Sequence, residues 1–372
     1  MSKKVGIIDY VGLKGGNHYY SLCLLDALAN LGYETYLLSN LTEGLNEEKI
    51  HIQKTFDFDI SRNLTGFSNL IGGTINACRI LKKNRVKTVI FHLFEASWIP
   101  LVVLSIFKFY GLKVIGISHD VTSFEKNENQ KARDFIYSKL IDQVIVHNQY
   151  SYNYLKQVLP IDIIAKTRII KHGGHKAIIN SNIGQKTARK TLGLDEDVTY
   201  ALFFGQIKKV KGLDLLLKAF PTDIENLHLI IAGKPWKDEF QIYESIIESR
   251  RLTSKTKLFI KYISEEERDN LYNAADFIIL PYREIFQSGV LLMAMSYGLP
   301  IIASDLPANK EVLNNNEGLL FKSENIENLN TQIKKMASDK VLRESYAKDS
   351  IIKIESEYAW STIAKEYVSI IQ

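Results

Sequence analysis

The chain has 372 residues, 46% of them hydrophobic and 24% charged, with 47 lysines and arginines against 42 aspartates and glutamates. That length exceeds one ordinary core and predicts two domains, and a composition this apolar excludes a disordered chain. Charge is uneven: residues 1–183 hold 22 basic against 15 acidic side chains, a net of +7, and the remainder 25 against 27, a net of −2. Such an excess is too dilute for a nucleic-acid partner; it suits an anionic substrate or an anionic membrane surface, and ordinary solvated surface charge accounts for it equally well.

In chain order, "MSKKVGIIDY" runs straight into a strand, so a cleaved leader is not expected. A Gly-rich turn, "GLKGGN", leads into an amphipathic helix, "HYYSLCLLDALANLG", and then a strand, "YETYLLS". Further strands are "VKTVIFHLF", "LKVIGISHD" and "DQVIVHN", each followed by a helical stretch, and "TRIIKHGGH" closes this half. The longest apolar run is interrupted by Lys108, Gly111 and Lys113, so it reads as a helix and a strand, not as a membrane span. Cys23 and Cys78 lie in apolar helical stretches and read as buried thiols in a reducing, cytoplasmic compartment. The polar stretch "NSNIGQKTARKTLGLDED" reads as the linker and entry to a second domain. The pattern then restarts with strand "TYALFFG", helix "GLDLLLKAF" and strand "LHLIIAG". A helix opened by the capping pair Ser264 and Glu267, strand "DFIILPY" and a helical tail follow. This alternation predicts an α/β chain of two Rossmann-like parallel-sheet domains facing a cleft, residues 1–183 and 184–352, with 353–372 as a terminal helix.

Ligands of such sheets bind outside the carboxyl ends of the strands, so the chemistry is sought in the loops there. After "ALFFG", Lys208, Lys209 and Lys211 crowd a turn that enters a helix near Gly212, an anion site by charge. In "YREIFQSGVLLMAMSYGLPIIAS" the backbone N–H groups of Ser288, Gly289 and Val290 open a helix directly after a strand, and Gly289 has no Cβ to hold a phosphate away. An ordinary capped helix accounts for that start equally well. In the first half, His119 and Asp120 end a strand, and His172 lies in "KHGGH" near the inter-domain crossing. Gly15 and Gly16 form a turn that lets an acceptor or a phosphate approach, or simply a tight βα turn. His18, His92 and Asn148 read as structural residues.

The ordered set "FFGQIKKVKGLDLLLKAF", "LIIAG", "AADFIILPY…SGVLLMAMSYGLPIIASDLPANKEVL" and "EGLLF" resembles the nucleotide-sugar half of a retaining GT-B glycosyltransferase, similar to glycosyltransferase family 4. "GISHD" and the Gly-rich loop resemble the acceptor-side half more loosely, and "EYAWSTIAKEY" resembles the last helix, which crosses back to the first domain. The resemblance implies transfer of a sugar from a nucleotide diphosphate-sugar to a hydroxyl acceptor, a glycan or a lipid-linked one, with retention of configuration. Bacterial surface-polysaccharide assembly is the implied setting, and peripheral contact with the inner face of an anionic membrane goes with it. Carried over by position, Lys211 pairs with the donor diphosphate, and Gln206, beside Gly205, stands where the family has an arginine, with Lys208 supplying the charge. The family's two glutamates flanking the helix start are replaced here: Glu284 lies one residue upstream of the first, and Met293 occupies the second. Glu311 is the substitute for the ribose contact. His119, Lys211 and Glu284 are the expected catalytic residues, with His172 near the donor. No cofactor and no metal are expected.

Asp57 and Asp59 in "DFD" resemble the metal pair of the other large glycosyltransferase fold, but that reading leaves the second domain unexplained. "GLKGGN" lacks the spacing of a dinucleotide fingerprint and no Gly-Lys-Ser/Thr follows the glycines. The rival from another class is a catalytically silent subunit of the same shape that binds a partner or a sugar nucleotide, motivated by Met293.

Overall fold

The computed structural model describes residues 3–12, 18–41, 48–57, 64–94, 96–119, 129–236 and 240–371. Two units result, Met1–Gly173 with Tyr358–Gln372, and Gly174–Glu357. The chain thus changes unit at 173/174 and 357/358, where the sequence reading put 183/184 and 352/353. The segment ahead of Asn180 is already fastened to the second unit, because the His175 N–H donates to Ser296 Oγ at 2.9 Å and Lys176 pairs with Glu355.

The first unit is a seven-stranded parallel sheet in the order β3-β2-β1-β4-β5-β6-β7. Its strands are β1 Lys4–Asp9, β2 Glu34–Ser39, β3 Ile50–Lys54, β4 Thr88–Leu93, β5 Lys113–Ser118, β6 Gln143–Val146 and β7 Thr167–Ile169. Helices α1 His18–Asn30, α2 Leu64–Lys83, α3 Trp98–Phe109, α4 Gln130–Phe135, α5 Gln149–Val158 and α6 Ile161–Ala165 connect them. The central strands β1 and β4 are buried almost throughout because helices cover both faces of a parallel sheet. β3 escaped the sequence reading for a physical reason: "IHIQK" is an edge strand with one fully buried residue, Ile50, and so carries little apolar signal.

The second unit repeats the plan with six parallel strands in the order β10-β9-β8-β11-β12-β13. They are β8 Thr199–Phe204, β9 Leu227–Ala232, β10 Thr256–Phe259, β11 Phe277–Leu280, β12 Ile301–Ser304 and β13 Gly318–Phe321. Its helices are α7 Gln185–Leu192, α8 Leu213–Ala219, α9 Gln241–Ser249, α10 Glu265–Ala274, α11 Gly289–Tyr297, α12 Pro307–Val312, α13 Ile326–Ser338 and α14 Lys340–Ser356. The expected capping box of α10 is present in both directions, Glu267 N–H to Ser264 Oγ at 3.2 Å and Ser264 N–H to Glu267 Oε2 at 3.1 Å. The polar segment read as linker and entry to the second domain contains α7. A buried arginine fastens it: Arg189 donates to the Ala274 and Glu196 carbonyls and to Asp276. Composition hides such a helix because its anchor is itself charged.

Helix α15, Trp360–Ile371, belongs to the first unit, where Ile363, Ala364, Tyr367 and Ile371 join the core built on Val5, Ile7, Leu24 and Leu28. In each sheet the strand order reverses direction beside the first strand, at β1/β4 and β8/β11, and the carboxyl ends there are the natural ligand crevices.

Candidate functional site

In the second unit three loops meet at the carboxyl edge. Gly233, after β9, has φ +148, and a Cβ there would lie 1.9 Å from the Gly205 carbonyl oxygen. Only glycine lets these two loops touch. Ile207 bridges to Pro235, and the Trp236 N–H donates to the Ile207 carbonyl at 2.9 Å. The lysine turn that follows is pinned to the end of β11: Gly212, at φ +69, approaches Pro281 so closely that a Cβ would fall 1.9 Å from its oxygen. The Arg283 N–H bonds the Val210 carbonyl at 2.8 Å, and its guanidinium forks onto Asp214 at 2.8 and 3.0 Å. Burial pushes the Asp214 carboxyl up, but hydrogen bonds and charge from Arg283 outweigh it and hold it below its ordinary value.

This frame carries the predicted cations. The Lys211 ammonium sits 4.0 Å over the Tyr282 ring and Lys208 sits 4.2 Å over Trp236. Beside them α11 begins. Ser288 caps it by accepting from the Leu291 N–H at 3.1 Å, so the ordinary cap and the exposed helix start coexist. Among the described residues nothing accepts from the N–H groups of Gly289 and Val290, and a Cβ at Gly289 would meet nothing within 4 Å. Gly205, φ +115, lies under this start, its notional Cβ 3.5 Å from Val290. Gly205, Lys208, Lys211, Ser288, Gly289 and Val290 therefore belong to one edge, and exposed Gln206 lies in the same loop. Glu284 is exposed and makes no ion pair among the described residues, while Met293 is buried inside α11. Glu311 lies in the short helix after β12 and is half-buried.

The carboxyl edge of the first unit is of another kind. His92, His119, His147 and His172 stand at or just beyond the ends of β4, β5, β6 and β7 and pack around Tyr20 of α1. His92 Nδ1 meets His119 Nε2 at 2.7 Å, and His92 Nε2 meets Ser21 Oγ at 2.9 Å. His147 Nδ1 bonds the Ile170 carbonyl at 2.9 Å and His172 Nδ1 the Gly173 carbonyl at 2.7 Å. Burial, reinforced by the other imidazoles, holds His119 well below the ordinary histidine range. Burial takes His147 to about 3 and His172 to about 4. Among the described residues no group of three or more histidines, cysteines or carboxylates could hold a metal ion. His92, read from the sequence as structural, is thus bonded directly to the predicted site residue. The signal that would have found it is a histidine at the end of each of four successive strands. Asp120, Gly15, Gly16 and Asp59 lie outside the described residues. Cys23 and Cys78 are buried free thiols pushed up to about 12 by burial.

Residues 184–351 match the model of the family described as "Glycosyl transferases group 1". Lipopolysaccharide 1,2-N-acetylglucosaminetransferase of Salmonella typhimurium is 26% identical over 238 residues, covering 60% of this chain and 60% of that protein. The chain spans about half the length of the curated relatives it matches first. Among solved structures, sucrose-phosphate synthase from Thermosynechococcus elongatus superposes with a TM-score of 0.79 at 17% identity, over 99% of this chain and 98% of that one. Anabaena HepE in complex with UDP-glucose does so at 0.75 and 15%, over 99% of both. Identities this low speak to fold alone. The chain has the GT-B fold, and residues 184–351, within its second unit, are similar to the group 1 glycosyl transferases.

Proposed function

We propose that this protein transfers a sugar from a nucleotide diphosphate-sugar to a hydroxyl acceptor with retention of configuration. The observation that carries the reading is the anion edge of the second unit, where Lys208 and Lys211 share an edge with the N–H groups of Gly289 and Val290, from which no described residue accepts. Breaking the bond between the sugar's anomeric carbon and the phosphate oxygen leaves negative charge on the departing diphosphate. Lys211 and the start of α11 stabilise that charge as it develops. The acceptor oxygen bonds to the anomeric carbon on the same face, and its proton passes to the departing phosphate oxygen. With the charge met by side chains and backbone, the step needs no metal. HepE, solved with UDP-glucose, supports the donor class.

The acceptor side of the proposal is a lipid-linked or glycan hydroxyl at the cytoplasmic face of a membrane, in surface-polysaccharide assembly; the Salmonella relative's name supports that setting. No helix among the described residues is long and apolar enough to cross a membrane. Instead α2 and α3 present a groove of about 520 Å³ between Ile75 and Arg79 on one side and Leu101, Val102, Ile106 and Phe109 on the other. Phe109 is 87% exposed and Trp98 55%. Residues 64–118 hold seven basic side chains and one acidic, Glu95. An apolar face with aromatic ends and a basic margin fits an anionic lipid surface, each basic group there contributing about 1 kcal/mol.

The test is a panel of nucleotide diphosphate-sugars, scored by thermal shift and by release of nucleotide diphosphate, with chelator present. Product anomers read by NMR decide retention. Neither release nor transfer with any donor would leave the silent-subunit reading standing, and activity lost in chelator but restored by manganese would overturn the metal-free step. Vesicle sedimentation tests the surface: binding to anionic vesicles at low salt, release at high salt, none to neutral vesicles. Equal recovery in the supernatant with both lipids overturns it.

A further inference from the structure

His119 ends a hydrogen-bonded chain that fixes which of its two ring nitrogens carries the proton. The chain starts at Ser21, on the buried face of α1, whose side chain is 0% exposed. Its hydroxyl has one partner among the described residues, His92 Nε2 at 2.9 Å. A buried hydroxyl hydrogen must be accepted by something, and among the described residues only Nε2 is placed to accept it. A neutral imidazole has one N–H and one lone pair, which puts the His92 proton on Nδ1. Nδ1 then donates to His119 Nε2 at 2.7 Å. His119 is left with its own proton on Nδ1, and no described residue bonds that atom. Running the chain the other way leaves the Ser21 hydrogen without an acceptor among the described residues.

Neither ring escapes by taking a second proton, because burial pulls both imidazoles below their ordinary range. Nor do they rotate freely. The Tyr20 ring stands edge-on to both, at 5.3 and 5.6 Å, and Phe94 stacks on His119 at 5.1 Å and 12°. His147 and His172 share the same tautomer for an independent reason: each places Nδ1 against a backbone carbonyl, which only accepts.

We propose that Ser21 and His92 are positioning residues that lock His119 as the Nδ1–H tautomer, so that His119 meets substrate as a neutral hydrogen-bond donor and not as a base. The inference rests on the proposed sugar transfer and on the sequence expectation that His119 acts in it, and it deepens that reading. A donor there holds a sugar hydroxyl or a phosphate oxygen. It has no lone pair facing the substrate with which to take the acceptor's proton, which agrees with a step in which the departing phosphate takes it.

The experiment reads the tautomer in the full-length chain, labelled with 15N, from two-bond correlations between ring protons and ring nitrogens near neutral pH. His119 is assigned by the signals lost in His119→Gln. The expected wild-type pattern is a protonated Nδ1 and an unprotonated Nε2. Ser21→Ala removes the residue that sets the direction, so both His119 nitrogens should move toward averaged values, while His147 keeps its Nδ1–H pattern. His92→Phe preserves a ring for packing but removes both hydrogen bonds and should do the same; His92→Asn, whose amide can donate from the place of Nδ1, should restore the wild-type pattern. An Nε2–H tautomer in the wild type overturns the proposal, as does an Nδ1–H pattern untouched by both Ser21→Ala and His92→Phe. Because no substrate is present, the result stands apart from whether any sugar nucleotide is turned over.

Discussion

The two units share one plan and arm it with opposite electrostatics. Each is a parallel sheet whose strand order reverses beside its first strand, so each offers a crevice at its carboxyl edge. In the second unit that edge carries fixed ions: Lys208 and Lys211 over aromatic rings, with Arg283 and Asp214 locked behind them. In the first unit it carries four imidazoles that burial keeps uncharged. A fold therefore supplies the place for a site but not its charge. The charge comes from which residues end the strands, and it sets the pH range over which each unit holds.

The largest effect should come from acid. A folded histidine held near pH 3 to 4 stays neutral below pH 6.5, where the unfolded chain takes up a proton. Stability therefore falls as pH drops from about 6.5 to the folded values, by about 1.4 kcal/mol per pH unit for each histidine. His147 and His172 alone make that about 3 kcal/mol per pH unit in the first unit. Asp214 runs in another window: its lowered carboxyl stabilises the fold above the ordinary aspartate value and loses that only as pH falls through its own, lower one. Hydrogen exchange on the whole chain, corrected for intrinsic rate, should show amides of β4–β7 opening further between pH 6.5 and 4.5 than those of β8–β13, whose own lowered histidine is the half-buried His228 of β9. Simultaneous opening would dissolve the contrast.

Next in size is an ion pair buried in the second unit. Lys353 Nζ meets Glu317 Oε1 at 2.8 Å with both side chains 4% exposed. Glu317→Leu leaves a buried ammonium without its carboxylate and should cost about 3–5 kcal/mol in denaturant unfolding. Adding Lys353→Met should recover most of it, and a double variant as unstable as the single one would show that the pair is not what matters there. Smaller again is Lys211→Ala. It should raise the barrier to transfer by about 3 kcal/mol, about a hundredfold in rate, with the unfolding midpoint unchanged. Activity within about threefold of wild type would remove Lys211 from the site.

Much of this was legible because the second unit announces itself through local signals. Consecutive strand, lysine turn and helix start are contiguous in the chain, and the loops between them are short. What escaped reading depends on contacts distant in sequence. The polar stretch around Arg189 looked like a linker and domain entry because its anchors, Ala274 and Asp276, lie more than eighty residues away. His92 looked inert because Ser21 and His119 are brought to it only by the pairing of β1, β4 and β5. Edge strand β3 failed for a different reason, having no buried face long enough to show a period.

The smallest effect concerns how the first unit holds α15, and it measures a neutral buried pair against the charged one. Tyr20 and Tyr367 join hydroxyls at 2.6 Å, each fully buried and with no other partner among the described residues. Burial pushes both phenols well above their ordinary range, so this bond, unlike the ion pair, is indifferent to pH across the physiological span. Tyr367→Phe removes one hydroxyl and leaves the other buried without a partner, which should cost about 1–3 kcal/mol. Tyr20→Phe with Tyr367→Phe removes both and should regain part of the loss, since two apolar rings of the same shape leave nothing unsatisfied. Denaturant midpoints of the two single variants and the double close the cycle. A loss for Tyr367→Phe as large as that for Glu317→Leu would mean that a neutral pair in this core is worth as much as a charged one, and the electrostatic contrast between the units would then lie in their strand ends alone.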